Sequence, residues 1–241
     1  MSYPFLKIGC CGFPVSRAKY FNTFKTVELQ QTFYQPPEIN TAKKWRDESP
    51  KDFEYNMKAW QLITHDPKCP TYRKLKVGIN RNNKNHYGSF KPTDEVLYAW
   101  EITRKIAEVL NAKIIVFQSP PSFIPSEKNK HNLKKFFSYI NREKFVIAWE
   151  PRGKWDEKDI ESICKDLELV HVVDPFKARP LYGNLRYYRL HGIGGYKYQY
   201  THEDLLRLKA MVDKKEDTYF MFNNIFMFQD AQRFQHLLKN K

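Results

Sequence analysis

The chain has 241 residues, of which 41% are hydrophobic and 16% aromatic, and this is enough apolar material for one sizeable core. Its 41 basic and 27 acidic residues give a net charge of +14, which favours partners that carry many negative charges, such as nucleic acids. The lack of an apolar run of about 18 residues excludes a membrane-spanning helix, and the lack of a secretory signal pattern and of framework cysteine spacing predicts a cytoplasmic protein.

Short apolar runs along the chain predict β-strands, and most of them are separated by amphipathic segments that predict helices. In chain order the strand-like runs are residues 7–12, 26–32, 52–60, 113–119, 145–152, 169–174, 187–192 and 218–224. The longest helical pattern, residues 92–112, has one apolar face, formed by Val96, Ala99, Trp100, Thr103, Ile106 and Leu110.

Alternating strands and helices form right-handed βαβ units around a parallel sheet. The sequence therefore predicts a single (β/α)₈ TIM barrel over residues 1–241. An open doubly wound sheet is the competing fold, but the first run leads into GCCGFP rather than into a G-x-G-x-x-G turn.

A long basic segment follows the third predicted strand. Residues 67–93 contain no acidic residue and exceed the length of an ordinary connection. We predict an insertion that is either a basic arm at the mouth of the barrel or a solvated loop; its basic residues are Lys68, Arg73, Lys74, Lys76, Arg81, Lys84 and Lys91. A second segment without acidic residues, 175–202, contains Lys177, Arg179, Arg186, Arg189 and Lys197.

The predicted strands share a polar residue at or near their C-terminal ends. In the fifth run, a period of two puts the apolar Phe145, Ile147 and Trp149 on one face and Glu150 on the other. Because the C-terminal ends of barrel strands converge on one mouth, we expect a functional site there. The end residues are Cys11, Gln30 (above Glu28), Lys58, Gln118, Glu150, Asp174, His191 and Asn223.

These blocks, in this order, resemble the YecE-like family of TIM-barrel proteins, a domain of unknown function (number 72), over nearly the whole chain. The matching stretches are IGCCGF, YFNTFKTVELQQTFYQPP, Trp45 with Pro50 and Phe53, Lys58 with His65, QSPPSF, AWEPRGKW, VVD, YYRLHG and MFNN. The chain departs from the family at Phe13, where Trp is common, and at Gln30, where Asn is common. The resemblance implies the fold and no particular reaction.

Two carboxylates are candidate acid–base groups. Glu28 and Glu150 belong to the second and fifth runs, and paired carboxylates divide acid and base roles when their environments differ. A carbohydrate-active enzyme would use such a pair at a set separation. The alternative is that Arg152, Arg189 or Lys58 neutralises each carboxylate.

A divalent metal and a reactive cysteine are weaker candidates. His65, His191 and Asp174, together with Glu28 and Glu150, carry N and O ligands, but no metal-binding spacing supports a cofactor. The adjacent Cys10 and Cys11 point in opposite directions along a strand, so we expect them to fill space rather than to act as nucleophiles.

The loop after the seventh predicted strand is the most suggestive one. Residues 189–200 carry glycines that can expose backbone N–H groups to an anion, and tyrosines that can cover the mouth. We predict a lid that orders over a bound anion; its residues are Gly192, Gly194, Gly195, Tyr196, Tyr198 and Tyr200. The alternative is a loop whose tyrosines pack on the barrel.

These features predict a basic, tyrosine-lined cleft for nucleic acid or another phosphate-bearing substrate. If the protein is an enzyme, we expect a nuclease-like phosphoester hydrolase with Glu150 or Glu28 as the base and with Lys58, Arg152 and His191 stabilising anionic charge. The expected substrate-binding residues are Gln30, His65, Asp174, Arg189, Gly194, Gly195, Tyr196, Tyr198 and Asn223. The alternatives are a non-catalytic nucleic-acid-binding barrel and a carbohydrate-active enzyme that uses Glu28 and Glu150.

Overall fold

The computed structural model describes residues 6–80, 82–142, 144–212 and 215–239. Eight parallel strands form a closed barrel in chain order, and the last strand pairs with the first. The strands are β1 (Leu6–Cys11), β2 (Thr26–Leu29), β3 (Glu54–Lys58), β4 (Ile114–Gln118), β5 (Val146–Glu150), β6 (Val170–Val173), β7 (Arg186–Leu190) and β8 (Thr218–Phe222). The predicted TIM barrel is confirmed, and each strand lies within a predicted run or within one residue of it.

Helices surround the barrel. They are α1 (Arg17–Thr23), α2 (Gln31–Tyr34), α3 (Ile39–Glu48), α4 (Gln61–Thr64), α5 (Asp94–Leu110), α6 (Glu127–Tyr139), α7 (Glu157–Asp166), α8 (His202–Ala210) and α9 (Met227–Lys239). Between β6 and β7, residues 174–185 form no helix. No helix in the described ranges combines the length and the apolar character needed to cross a bilayer.

The alternation of side chains along the strands separates two apolar clusters. In β5, Val146 and Ala148 belong to the cluster inside the barrel, whereas Ile147 and Trp149 pack with the residues of the surrounding helices. Glu150 has the parity of Val146 and Ala148, so the strand directs its carboxylate toward the barrel axis at the C-terminal end.

Helix α5 shows why the outer layer forms where the sequence predicts it. Its face with helical spacing is fully buried, and Trp100 lies 5.9 Å from Phe117 of β4, measured between ring centroids. Burial of an aromatic side chain of this size contributes on the order of 2 kcal/mol relative to exposure. The helix ends at Asn111, which adopts the left-handed conformation typical of a C-terminal cap.

The segment between α4 and α5 is anchored at both of its ends. It contains two short 3₁₀ turns, Pro70–Lys74 and Lys84–His86. The Tyr72 hydroxyl donates a hydrogen bond to the His65 carbonyl (2.9 Å), and the Phe90 amide donates one to the Ile63 carbonyl (2.8 Å). Arg81, one of the predicted basic residues, lies outside the described residues.

Candidate functional site

A cavity of about 520 Å³ opens at the C-terminal ends of the strands. Among the residues that the structure describes, four Lys or Arg side chains and two His side chains line it, and no carboxylate does. The lining residues are Cys11, Gln30, Phe33, Tyr34, Lys58, His65, Thr71, Lys74, Gln118, Arg152, Arg189, His191, Tyr196 and Asn223. The mouth thus gathers eight of the predicted site residues, whereas Glu28, Glu150, Asp174, Gly194, Gly195 and Tyr198 do not line it.

Arg189 occupies the centre of the barrel below this cavity. Its side chain is 1% exposed, and it bridges the two carboxylates that the sequence suggested as an acid–base pair. Its Nε lies 3.1 Å from Glu28 Oε2 and its Nη2 lies 2.9 Å from Glu28 Oε1, while Nη1 donates to Glu150 Oε2. Burial opposes the charge on Arg189, but Glu150 and Glu28 outweigh it and raise the pKa of the guanidinium.

Glu150 is held in its ionised form. Arg152 Nε lies 2.7 Å from Glu150 Oε1, on the side of the carboxylate away from Arg189. Burial would raise the pKa of this carboxyl, but Arg189 and Arg152, with smaller contributions from His191 and Lys58, lower it to about 2. A carboxylate with so low a proton affinity is a weak general base at neutral pH. The alternative of neutralised carboxylates therefore has more support than a catalytic pair.

Glu28 is equally well satisfied. Its Oε2 accepts a hydrogen bond from the Tyr187 hydroxyl at 2.9 Å, and its Oε1 accepts one from Gln30 Nε2. The side chain is fully buried. Glu28 thus anchors Arg189 and Gln30 from beneath the cavity and has no direct access to a ligand.

His191 connects β7 to Asp174. Arg152 Nη2 lies 2.6 Å from His191 Nε2, and because an arginine can only donate, Nε2 is the acceptor. The proton of the neutral ring is then on Nδ1, which lies 3.7 Å from Asp174 Oδ2. Burial is the main cause that lowers the pKa of His191, so the ring is neutral at pH 7.

Lys58 and His65 form the opposite wall. Lys58 Nζ donates to Gln118 Oε1 at 2.8 Å and lies 3.9 Å from the centroid of the Phe33 ring. Burial, reinforced by Arg189, lowers the pKa of Lys58 to about 7. His65 Nδ1 lies 2.7 Å from the Thr64 hydroxyl, and burial together with Lys58 lowers the pKa of His65 to about 3.

The tyrosines of the loop after β7 differ in exposure and in their partners. Tyr196 is 56% exposed and lines the mouth. Tyr200 is buried, stacks on Phe176, and accepts a hydrogen bond from the Gly192 amide at 2.8 Å. Tyr198 donates its hydroxyl proton to Asp204 Oδ2 at 2.6 Å. The prediction of a tyrosine lid is therefore wrong for Tyr198 and Tyr200, since their polar partners hold them on the helical layer.

Four lining residues did not emerge as candidates for the site from the sequence. Phe33 and Tyr34 come from α2, which directly follows β2, and the sequence pattern ran that strand on into the helix. Thr71 and Lys74 come from the first 3₁₀ turn of the basic segment. Their signal was the position of this segment between β3 and α5, on the side of the barrel where the strands end, and Lys74 belongs to the basic arm that the sequence offered as one of two alternatives.

The two cysteines at the end of β1, Cys10 and Cys11, are buried. Cys11 Sγ accepts a hydrogen bond from Arg189 Nη2 at 3.8 Å, and burial with the nearby Glu28 raises the pKa of its thiol. Burial also raises the pKa of Cys10, so neither thiol is an activated nucleophile. Among the described residues, no group of three or more His, Cys, Asp or Glu side chains is placed to hold a metal ion.

The buried Arg189 gives a first testable prediction. We expect Arg189→Met to lower the free energy of unfolding by about 3–5 kcal/mol at pH 7, because it leaves Glu28 without its cation and Glu150 with Arg152 alone. Arg186→Met is the matched control. It lies on the same strand and pairs with the half-exposed Glu216, so its loss should cost about 1 kcal/mol or less. Urea denaturation measures both.

Acid should reduce the difference between wild type and Arg189→Met. The folded-state pKa of Glu150 lies below its usual value of 4.5, so its ion pairs stabilise the wild type above that pH, and this stability is lost as the pH falls toward 2. In the variant the carboxyls instead gain from protonation. A difference between the two proteins that is constant from pH 7 to pH 3 would contradict this account.

The loop gives a second prediction. Gly192 has φ +86°, and a Cβ there would collide with the Gly195 carbonyl oxygen and lie 2.9 Å from Tyr198 Cβ. We expect Gly192→Ala to destabilise the protein by about 1–3 kcal/mol. Gly194→Ala is the control, because its Cβ would meet only Tyr198 Cδ2 at 3.6 Å. Equal thermal denaturation midpoints for the two variants would show that the loop is loosely packed.

Several solved structures share this fold. A DUF72 family protein of Enterococcus faecalis V583 superposes with a TM-score of 0.72 at 18% identity, covering 98% of each chain. One of Thermotoga maritima MSB8 gives a TM-score of 0.68 at 20% identity, covering 98% of this chain and 100% of that one. Endonuclease IV of Thermus thermophilus gives 0.55 at 12% identity, covering 99% and 100%.

At these identities the structural likeness concerns the fold alone. No curated protein sequence matches the chain. The sequence model of a family described as "Protein of unknown function DUF72" matches residues 16–241, almost the entire chain. This match and the two bacterial structures agree with the resemblance carried by the sequence blocks, and the chain belongs to the DUF72 family.

Proposed function

We propose that the mouth of the barrel binds the phosphate group of a ligand and that the protein is a phosphoester hydrolase acting on nucleic acid. One observation carries the proposal: within the described ranges, the wall of the cavity presents cations and neutral donors and no carboxylate. The carboxylates that balance the central charge are buried beneath it, with Glu28 unexposed and Glu150 5% exposed. A concave surface lined by one sign of charge attracts ligands of the opposite sign, here anions.

Lys74 and Arg152 are the cations best suited to touch a phosphate. Lys74 is exposed, and its Nζ lies 4.5 Å from the centroid of the Tyr34 ring at the rim. The Arg152 side chain is 31% exposed, and its planar guanidinium can donate two parallel hydrogen bonds to phosphate oxygens. Both can therefore reach a ligand, whereas Arg189 is committed to the two glutamates.

His191 is a better general base than Glu150 in this arrangement. Its Nε2 accepts a hydrogen bond from Arg152, and its Nδ1 proton faces Asp174. A phosphate that draws Arg152 toward itself would expose the Nε2 lone pair, which could then take a proton from an attacking water. Asp174 would stabilise the imidazolium that forms, and Lys74 with Arg152 would stabilise the charge on the phosphoryl oxygens.

The rim suits a strand of nucleic acid. Tyr34 and Tyr196 offer aromatic faces on which bases can stack, and Arg73 and Lys76 extend the positive charge outward along the basic segment. Endonuclease IV of T. thermophilus, a nuclease by name, has a barrel of this shape, although its likeness to this chain is one of fold. Neither glutamate is free, and no observation favours the carbohydrate-active alternative.

Salt dependence tests the binding. Replacement of Arg73, Lys74 and Lys76 by Ala should weaken binding of a single-stranded oligonucleotide and lower the slope of log K against log salt by about 2, since each lost phosphate contact lowers it by about 0.7. The control removes the same charge from the outer helices, at the exposed Lys105, Lys135 and Lys165. Equal slopes for the two triple variants, measured by fluorescence anisotropy, would contradict a nucleic-acid site at the mouth.

The pH profile tests the reaction. If His191 is the base, hydrolysis should stay on its plateau from neutral pH to below about 6.5 and then fall, because burial lowers the pKa of this imidazole. His191→Asn should lower kcat about 10²–10³-fold and leave oligonucleotide affinity within a few-fold.

Two outcomes would change this assignment. A plateau that continues to about pH 3 would identify Glu150 as the base, because the pKa of its carboxyl is about 2. Binding of oligonucleotides without turnover of any phosphoester would make the protein a nucleic-acid-binding barrel.

A further inference from the structure

Lys58 differs from the two arginines of the mouth in its partners. Arg189 and Arg152 are paired with Glu28 and Glu150. Lys58 has no carboxylate within 4.0 Å of its Nζ in the part of the chain that the structure describes, and its hydrogen-bond acceptor is the neutral Gln118 Oε1. The residue is only 6% exposed, yet it lines the cavity, so a buried amine faces the place where a ligand would bind.

The surroundings of Lys58 disfavour its charged form. Gln118 Oε1 also accepts a hydrogen bond from Arg189 Nη1 at 3.1 Å, so two cations share one neutral oxygen. The Phe33 ring lies 3.9 Å from Nζ, and because its face attracts a cation, this contact favours the ammonium form and opposes the effect of burial. Burial and Arg189 lower the pKa of Lys58 to about 7. Near neutral pH, the amine is therefore uncharged in a large fraction of the molecules. Desolvation and a neighbouring cation are the two means by which proteins activate a lysine as a nucleophile.

We propose that Lys58 is a nucleophile that forms an imine with the carbonyl carbon of a phosphate-bearing aldehyde or ketone. The phosphate part rests on the proposed function, because Lys74 and Arg152 line the same cavity and would hold that group. The formation of the imine does not depend on the proposed function, because it requires only the Lys58 amine. Carbonyl and phosphate together define the substrate class, which includes phosphorylated sugars and the open-chain sugar of an abasic nucleotide.

The step balances without another reagent. The Nζ lone pair attacks the carbonyl carbon to form a C–N bond, and the carbonyl π electrons move to oxygen. Protons from the attacking nitrogen pass to that oxygen, which leaves as water when the C=N bond forms. One carbonyl compound and one amine thus give one imine and one water. Gln118 Oε1, which accepts from Nζ, is placed to hold the amine as it loses its protons.

Borohydride trapping tests the inference. Reduction converts an imine into a stable secondary amine, and peptide mass spectrometry then locates the label. We expect D-glyceraldehyde 3-phosphate to label Lys58 at least about tenfold faster than any other lysine, since positioning raises the effective concentration of the aldehyde. The labelling rate should rise with pH to a midpoint near the Lys58 pKa of about 7, because only the neutral amine attacks. Preferential labelling of other lysines, or a midpoint near 10 as for an ordinary lysine, would overturn the inference.

Two variants isolate the environment of the amine. Gln118→Glu places a carboxylate beside Lys58, so it should raise the midpoint of labelling by at least about one pH unit and slow the reaction at pH 7 about tenfold. Lys105→Met removes an exposed amine from α5, away from the mouth, and should leave both the midpoint and the rate of labelling unchanged. An unchanged midpoint in Gln118→Glu would show that Gln118 and Arg189 do not control the amine. These measurements use labelled sites in the full chain, so they do not require that a Lys58 variant folds.

Comparison with unphosphorylated D-glyceraldehyde separates this inference from the proposed function. Equal labelling of Lys58 by both aldehydes supports the imine and contradicts phosphate binding at the mouth. Inhibition by inorganic phosphate of oligonucleotide binding, with no labelling of Lys58 by either aldehyde, supports the phosphate site and overturns the imine. An oligonucleotide with one abasic site distinguishes the sources: a covalent complex that forms faster than the label from glyceraldehyde 3-phosphate identifies nucleic acid, and the reverse order identifies a small sugar phosphate.

Discussion

The ion pairs between Arg189 and two buried glutamates are the constraint on which the mouth of this barrel depends. The arginine is 1% exposed, so its charge must be balanced inside the protein, and Glu28 and Glu150 provide that balance from β2 and β5. In doing so they fix the positions of β2, β5 and β7 around one point. Gln30, Gln118 and Arg152 add further hydrogen bonds and ion pairs to Arg189, Glu28 and Glu150.

This arrangement determines which groups remain for chemistry. Both glutamates form ion pairs with Arg189. This argues against a mechanism in which one carboxyl acts as the acid and the other as the base. The groups above them are the cations Lys74 and Arg152, the buried amine of Lys58 and the neutral histidines. A barrel whose buried anions lie under exposed donors is suited to stabilise negative charge on a ligand, which is the reason to expect phosphate chemistry rather than carbohydrate chemistry.

The sequence predicted the barrel and much of its mouth because both follow from local patterns. Alternation along β5 alone places Glu150 on the inner face, and the same rule applies to Lys58 and Arg189. Which carboxylate meets which cation depends on distances across the barrel, so the sequence left the pairing open. Tyr198 and Tyr200 were misassigned for a related reason: the acidic groups that hold them, Asp204 and Asp230, belong to α8 and α9, and nothing in the loop indicates these contacts.

The same arginine that neutralises the glutamates also acts, after burial, to lower the pKa of Lys58. If Arg189 were absent, Glu28 and Glu150 would be free to stabilise an ammonium ion, and both already act to raise the pKa of Lys58. Arg189 binds both carboxylates and shares Gln118 with Lys58, and its positive charge adds to the effect of burial, so the two together outweigh the glutamates and lower the pKa of Lys58. Burial and a structural ion-pair network thus give the mouth a lysine of lowered pKa beside two cations. The chemistry of the site and the stability of the barrel depend on a single side chain, and a change of Arg189 cannot alter one without the other.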